Sequence, residues 1–109
     1  MNLKNLSSFQ TLSAEKLAKH NVFETKRFFL DVYCVNPGQN QKSHVHPEAD
    51  KVYIVLDGSC RVTVGSESVD CQVNDAVLCS AGQPHGIENA SSQPARLLVL
   101  MTPPPPKGP

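Results

Sequence analysis

The chain is organised around Gly38–Gly58, which reads GQNQKSHVHPEADKVYIVLDG. His44 and His46 are two residues apart in it, and because side chains alternate along a strand, this spacing puts both imidazoles on one face. Two neutral imidazoles that converge suit a divalent transition metal. The same pair also fits two histidines that simply face solvent, so the pair alone leaves both interpretations open.

The size and charge of the chain limit its class. Its 109 residues with 39% hydrophobic content suit one compact domain with a single core. Ten basic and ten acidic residues give a formal net charge of zero, which argues against nucleic acid or an anionic membrane as partner. The sequence has no apolar run of about 18 residues and opens without the apolar core of a signal peptide, which favours a cytoplasmic protein.

Apolar and β-branched segments separated by turn residues predict a series of short strands. Phe28–Val35 ends at Asn36-Pro37-Gly38, and Val52–Leu56 ends at the hairpin signal Asp57-Gly58. Four further strands are predicted at Cys60–Val64, Val69–Val73, Ala76–Cys79 and Leu97–Met101. Short strands at close, regular spacing predict an all-β, antiparallel sandwich or barrel.

The two ends of the chain differ from its middle. Residues 1–25 are predicted to form an arm along the sheet, with a short helix at Ser13–Lys19, where a hydroxyl cap precedes good helix formers. Residues 26–102 form the predicted barrel. Residues 103–109, PPPPKGP, form a tail that we expect to be extended and solvated, because proline has no amide to donate to a ladder.

Four cysteines, an even number, lie in apolar segments without Cys-x-x-Cys spacing and without a secretory signal. Buried free thiols are therefore predicted in preference to disulfides. The cysteines are Cys34, Cys60, Cys71 and Cys79.

Two motifs that follow one another along the chain resemble those of the cupin family. The first family pattern is Gly-x5-His-x-His-x(3,4)-Glu-x6-Gly, and it is matched by Gly38, His44, His46 and Gly58. The second is Gly-x5-Pro-x-Gly-x2-His-x3-Asn, matched by Gly82, His85 and Asn89, with Asn74 and Ser80 where Gly and Pro are usual. The resemblance spans residues 38–89 and implies a small jelly-roll β-barrel, often homodimeric.

This resemblance implies a metal site as well as a fold. His44, His46 and His85 would point into the barrel and share one divalent transition metal, with Fe, Mn, Ni, Zn and Co all open. Imidazoles on separate strands of a small barrel can converge on its interior without a mobile loop. The expected ligand is a small polar or carboxylate-bearing molecule, but dioxygenase, isomerase and sugar-acid chemistry stay open. A non-catalytic module that binds or senses a small molecule is the alternative.

Lys51 departs from the family pattern, because it stands where many cupins have a metal-binding Glu. Asp50 is one residue out of register and is expected on the opposite face of the strand. A protonated Lys about 4 Å from a divalent ion would be repelled by several kcal/mol, since even two unit charges interact by about 4 kcal/mol at an effective dielectric near 20. We therefore expect Lys51 to turn away with its ammonium in water.

Other roles for this strand stay open. Lys51 could lose its proton, the metal could bind weakly, or Lys51 could be catalytic by binding a carboxylate or carrying a proton. Tyr53 has the same strand parity and could bind ligand or transfer a proton, or it could simply pack in the core. His20 matches neither motif and is expected at the surface.

Two predicted strands, Val52–Leu56 and Leu97–Met101, are apolar on both faces, whereas a strand of a single small barrel shows one face to water. One short helix is too small to bury the outward-facing side chains of both strands. The sequence therefore predicts a homodimer in which a second subunit covers this face. The alternative is that the N-terminal arm covers its own barrel.

Overall fold

A computed structural model of the protein describes residues 1–106. A 3-10 turn at Leu6–Ser8 precedes the strands. The nine strands found among the described residues are β1 (Ala18–Glu24), β2 (Phe29–Val35), β3 (Asn40–His44), β4 (Asp50–Asp57), β5 (Cys60–Val64), β6 (Glu67–Cys71), β7 (Ala76–Cys79), β8 (His85–Glu88) and β9 (Ala95–Thr102). Within this range no helix is long and apolar enough to cross a membrane.

The strands form two antiparallel sheets. A five-stranded sheet has the order β1-β2-β9-β4-β7, and a four-stranded sheet has the order β3-β8-β5-β6. Buried side chains of both sheets meet in one core, including Tyr33, Val55 and Leu97 from the first sheet and Val62 and Ile87 from the second. This arrangement confirms the predicted all-β, antiparallel jelly roll.

All four cysteines are buried and free, as the sequence predicts. Burial raises the pKa of Cys60 to about 12 and that of Cys79 to about 11. Both thiols therefore stay protonated at neutral pH and behave as small apolar side chains.

Six of the nine strands lie close to the predicted positions, whereas the sequence patterns did not predict β1, β3 and β8. Strand β3, Asn-Gln-Lys-Ser-His, is polar because it lies at the edge of its sheet. Strand β8 has only four residues and contains Gly86. A Cβ at Gly86 would lie 2.8 Å from the Gln41 carbonyl oxygen, so this glycine permits β3 and β8 to approach closely.

The helix predicted at Ser13–Lys19 is wrong, because this segment is bent and then enters β1 at Ala18. The Ser13 carbonyl accepts hydrogen bonds from Asn36 Nδ2 (3.2 Å) and Gln39 Nε2 (2.7 Å). Leu17 packs into the main core and is 6% exposed. These tertiary contacts outweigh the modest helix propensity of a short segment.

The N-terminal arm covers part of the outer face of the five-stranded sheet. Leu6 and Phe9 pack against a second apolar cluster that contains Val32 and Leu98. Arg96 Nη1 donates to the Leu6 carbonyl (2.9 Å) and to the Phe9 carbonyl (3.2 Å), which holds the arm in place. The arm therefore covers its own barrel at this end of the sheet.

Only part of the predicted tail lies within the described residues. Pro103, Pro105 and Pro106 are exposed, as expected, and Pro104 is half-buried. The prediction for Lys107-Gly108-Pro109 lies outside the described residues.

Candidate metal centre

Three histidines meet at one end of the two sheets. His44 is the last residue of β3, His85 is the first residue of β8, and the two are register partners. His46 follows two residues after β3, and its ring centre lies 4.8 Å from that of His44. One ligand atom from each of the three lies within 4.8 Å of the others. The structure thus brings together the three histidines that the sequence singled out, and together they could hold a metal ion.

Backbone carbonyls orient two of these rings. His44 Nδ1 lies 2.8 Å from the Lys42 carbonyl oxygen, and His85 Nδ1 lies 3.0 Å from that of Gln83. A carbonyl oxygen only accepts hydrogen bonds, so Nδ1 carries the proton in both rings. The lone pair of Nε2 is then free to coordinate a metal.

The chemistry of the donor set fits a metal ion. Within residues 1–106, His85 Nε2 is buried and has no hydrogen-bond partner. Leaving a buried polar atom unsatisfied costs about 1–3 kcal/mol, which a coordinated ion would offset. Burial lowers the pKa of His44, His46 and His85, and the neutral imidazole is the form that binds metal.

Local turns bring the two histidine segments together. Gly82 has φ +85°, a left-handed conformation that favours glycine, in the turn that precedes His85. Its amide donates to the His46 carbonyl at 2.9 Å, which joins the two motifs directly. Asn74 has φ +75°, and asparagine tolerates this conformation better than most residues, which explains how it replaces the usual Gly of the motif.

Lys51 and Tyr53 point inward from β4, with 2% and 1% of their surface exposed. The prediction that Lys51 keeps its ammonium in water is therefore wrong. Its Nζ lies 3.4 Å from Gln41 Oε1, 5.6 Å from the ring centre of Tyr33 and 5.1 Å from that of Tyr53. The aromatic faces offset part of the cost of burying the charge. Asp50 is exposed on the opposite face, as predicted, and accepts a hydrogen bond from the Ala81 amide at 2.9 Å.

The interior changes the acidity of these groups. Burial, and secondarily the Lys19 ammonium, lower the pKa of Lys51 to about 8. Burial raises the pKa of Tyr53, so its hydroxyl remains a donor at neutral pH and donates to Gln41 Oε1 at 3.3 Å. The Tyr53 ring centre lies 6.3 Å from that of His85, which puts these polar groups next to the histidine cluster.

Sequence reasoning missed two residues of this site, Gln41 and Tyr33. A register shift lies between Gln41 and His44 on β3, so simple alternation from His44 gives no reliable prediction of where Gln41 points. Tyr33 resembles an ordinary core residue in the sequence. His20 is not part of the histidine cluster, since it lies on β1 with Nε2 2.8 Å from the Thr11 carbonyl oxygen.

Comparison with known proteins identifies the family. The Cupin domain family model matches residues 31–101, a range that contains all three histidines. The chain belongs to the cupin family. A crystal structure of TT1209 from Thermus thermophilus superposes on this cupin with a TM-score of 0.94 and 43% identity, covering 96% of this chain and all of that one.

Other proteins share part of the sequence or the fold. The tetracenomycin polyketide synthase protein TcmJ of Streptomyces glaucescens is 35% identical over 75 residues, which are 69% of this chain and 50% of TcmJ. This cupin therefore spans about half the length of that relative. KdgF from Halomonas has a TM-score of 0.80 at 17% identity, covering 93% of this chain and 92% of KdgF, and it shows the common fold alone.

Proposed function

We propose that His44, His46 and His85 hold one divalent transition metal and that this centre acts on a small polar molecule. The observation that carries the proposal is the buried, unpartnered Nε2 of His85 beside two further imidazoles. When bound, such an ion would supply Lewis acidity toward the oxygen atoms of a ligand. Three histidines leave at least one coordination position open for the small molecule. Fe, Mn, Ni, Zn and Co are all compatible with imidazole ligands.

Lys51 and Tyr53 are the proposed catalytic residues. Both side chains face the interior next to the histidines, and both donate toward Gln41 rather than toward solvent. The Tyr53 hydroxyl stays protonated at neutral pH, so it supplies a hydrogen-bond donor to a bound molecule. The Lys51 ammonium supplies a positive charge or a proton to the same molecule.

One relative supports a small organic molecule as ligand. TcmJ is named as a protein of the tetracenomycin polyketide synthase, and its similarity to this cupin covers 69% of this chain. Because half of TcmJ lies outside the match, only the general class of ligand is carried over.

A second candidate function, a binding module without turnover, is favoured by Lys51 at the position of the usual Glu. A lysine adds a repulsive charge where a carboxylate would attract the metal, which weakens binding of the ion. In this function the same interior binds or senses a small molecule, with or without metal.

We also propose that the protein is a homodimer. The arm covers one end of the outer face of the five-stranded sheet, but Leu78 remains 58% exposed on that face. Its register partner Val52 pairs in turn with Leu100, so three apolar side chains form one outward row. A second subunit would cover this row symmetrically.

Elemental analysis of protein purified without added metal, followed by reconstitution, tests the metal centre. We expect one divalent ion per chain, and no retained metal after reconstitution would overturn the proposal. A substrate screen on reconstituted protein then separates the two functions: turnover lost in His85→Ala supports an enzyme, and thermal shifts without turnover support a binding module.

A further inference from the structure

A groove lies between the edge strands of the two sheets, β1 and β3. Its volume is about 470 Å³, within the range of about 300–1,000 Å³ that small-molecule sites occupy. Lys16 and Lys19 line one side, and Gln41 lines the other. Gln41 also contacts Lys51 and Tyr53, so this side chain joins the groove to the interior cluster.

Lysine ammonium groups lie beside this groove. Lys19 Nζ lies 5.4 Å and Lys51 Nζ 5.6 Å from the ring centre of Tyr33, so the two ammonium groups are within about 11 Å of each other. Among residues 1–106, the salt bridges involve Arg61 and Arg96 but none of the lysines of this region. The nearby acid Asp31 accepts a hydrogen bond from Asn21 Nδ2 at 2.8 Å, and its charge acts on Lys19 and Lys51 without forming a salt bridge with either.

The hydrogen bonds that the Gln41 side-chain oxygen accepts from Lys51 and Tyr53 are long. Gln41 Oε1 lies 3.4 Å from Lys51 Nζ and 3.3 Å from the Tyr53 hydroxyl, beyond the usual ranges of about 2.7–3.2 Å and 2.5–3.0 Å for such hydrogen bonds. An ammonium has three donors, and a buried one without a paired anion is costly. A carboxylate in place of the amide oxygen would form shorter, charge-assisted hydrogen bonds with the same two donors.

We propose that the groove between β1 and β3 binds a small organic carboxylate, whose carboxylate group replaces the Gln41 side-chain oxygen opposite Lys51. Lys19 and Lys16 attract the anion at the mouth of the groove, and Tyr53 donates to its second oxygen. This proposal makes small carboxylates the substrate class of the proposed metal centre. It rests on that proposed function only for the reaction that would follow binding. Binding of the carboxylate itself does not require the metal.

Titration of chelator-treated, metal-free protein at pH 7 tests this site. Propionate, pyruvate and succinate are the probes, propionamide is the neutral control, sodium chloride is the control for ionic strength, and backbone amide shifts are the readout. We expect saturable shifts on β1 and β3 with at least one carboxylate and none with propionamide or chloride. No saturable response to any of the three carboxylates, or an equal response to propionamide, overturns the proposal.

Two variants locate the carboxylate. Lys51→Met removes the ammonium with little change in shape and should weaken binding at least about tenfold. Gln41→Glu places a carboxylate opposite Lys51 and should abolish the response by occupying the site from within. The matched control is Lys26→Met, an exposed lysine in the turn between β1 and β2, which should leave the dissociation constant unchanged.

Binding within twofold of the wild type in both Lys51→Met and Gln41→Glu would overturn the assignment. If either variant fails to give a folded spectrum, Lys19→Met, at the exposed mouth of the groove, is tested in its place. We expect this substitution to weaken carboxylate binding at least about threefold. Metal content is measured separately on each protein after reconstitution with a divalent metal and without chelator treatment. If the protein binds a carboxylate but retains no metal, the carboxylate site is supported and the proposed metal centre is overturned. If it retains metal but binds no carboxylate, only the carboxylate site is overturned.

Discussion

His44 and His85 are direct partners in the antiparallel pairing of β3 with β8, and their ring centres lie 4.4 Å apart. Each comes from a different cupin motif, so the pairing of two strands distant in sequence sets the spacing between two of the proposed metal ligands. A site built from regular strands is more rigid than one built on loops.

Removal of one of these rings should release the metal. We expect His85→Ala to weaken retention of the ion by at least about 100-fold, because even the loss of a residue behind a ligand costs about 10–100-fold. Elemental analysis after dialysis against a chelator measures the effect. His20→Ala, which removes a histidine outside the cluster, should retain the wild-type metal content. Unchanged metal in His85→Ala would contradict the ligand assignment.

Replacement of Lys51 by Glu should tighten metal binding, since it exchanges a repulsive charge for an attractive ligand at the position where many cupins have Glu. Competition against a chromophoric chelator measures the affinity. Lys51→Met serves as the neutral reference and should fall between the wild type and Lys51→Glu. Activity can fall in Lys51→Glu even as the ion binds more tightly. Weaker metal retention in Lys51→Glu than in Lys51→Met would show that position 51 is out of ligand reach.

Lys51 should also destabilise the fold at neutral pH. Burial lowers its pKa from 10.5 to about 8, which corresponds to about 3 kcal/mol at about 1.4 kcal/mol per tenfold change in proton affinity. Between these pH values the unfolded state binds more protons than the folded state, so the contribution of Lys51 to stability rises with pH.

Urea unfolding of reduced, metal-free protein checks this pH dependence. Lys51→Met should exceed the wild type in free energy of unfolding at pH 7 by up to about 3 kcal/mol, and the difference should shrink as the pH approaches 10.5. Comparing the two proteins at each pH cancels the titration of other groups. A difference that stays constant from pH 7 to 10 would mean that Lys51 titrates normally in the folded state.

Gly86 should be sensitive to a single added methyl group. A Cβ there would lie 2.8 Å from the Gln41 carbonyl oxygen and 3.0 Å from the Ser43 amide nitrogen, so the backbone of β3 must move. We expect Gly86→Ala to lower the free energy of unfolding by about 1–3 kcal/mol. Because β3 carries His44, metal retention should fall as well. Thermal unfolding and metal analysis measure both effects, and an unchanged value of each would contradict this account of the β3–β8 contact.

The proposed homodimer predicts a mass near twice 11.8 kDa in sedimentation at micromolar concentration. Leu78→Glu should shift the protein to the monomer, because a charge would face the second subunit. Val69→Glu is the matched control, since Val69 has the same 58% exposure but lies on β6 of the other sheet. A clean mass near 11.8 kDa for the wild type would remove the dimer.

Local patterns in the sequence were sufficient for much of the fold. Runs of apolar and β-branched residues bounded by turn residues located β2, β4 and β9 closely, because such runs depend only on neighbours within a few residues. The His-x-His spacing and the second motif pointed to the three histidines before any contact between them was known. The same patterns wrongly predicted a helix at Ser13–Lys19, since hydrogen bonds to the Ser13 carbonyl from the distant loop between β2 and β3 determine that segment.

Only the tertiary structure decided what surrounds the histidines. The length and flexibility of a lysine side chain left Lys51 free to point outward, and the aromatic rings of Tyr33 and Tyr53, on strands not adjacent in sequence, determine that it lies inside. Gln41 joins this cluster because of a register shift in β3 and because Gly86, which has no side chain, lets the neighbouring strands β3 and β8 approach closely. Strand periodicity is a local property and is visible in the sequence, whereas the approach of one strand to another depends on packing across the whole barrel.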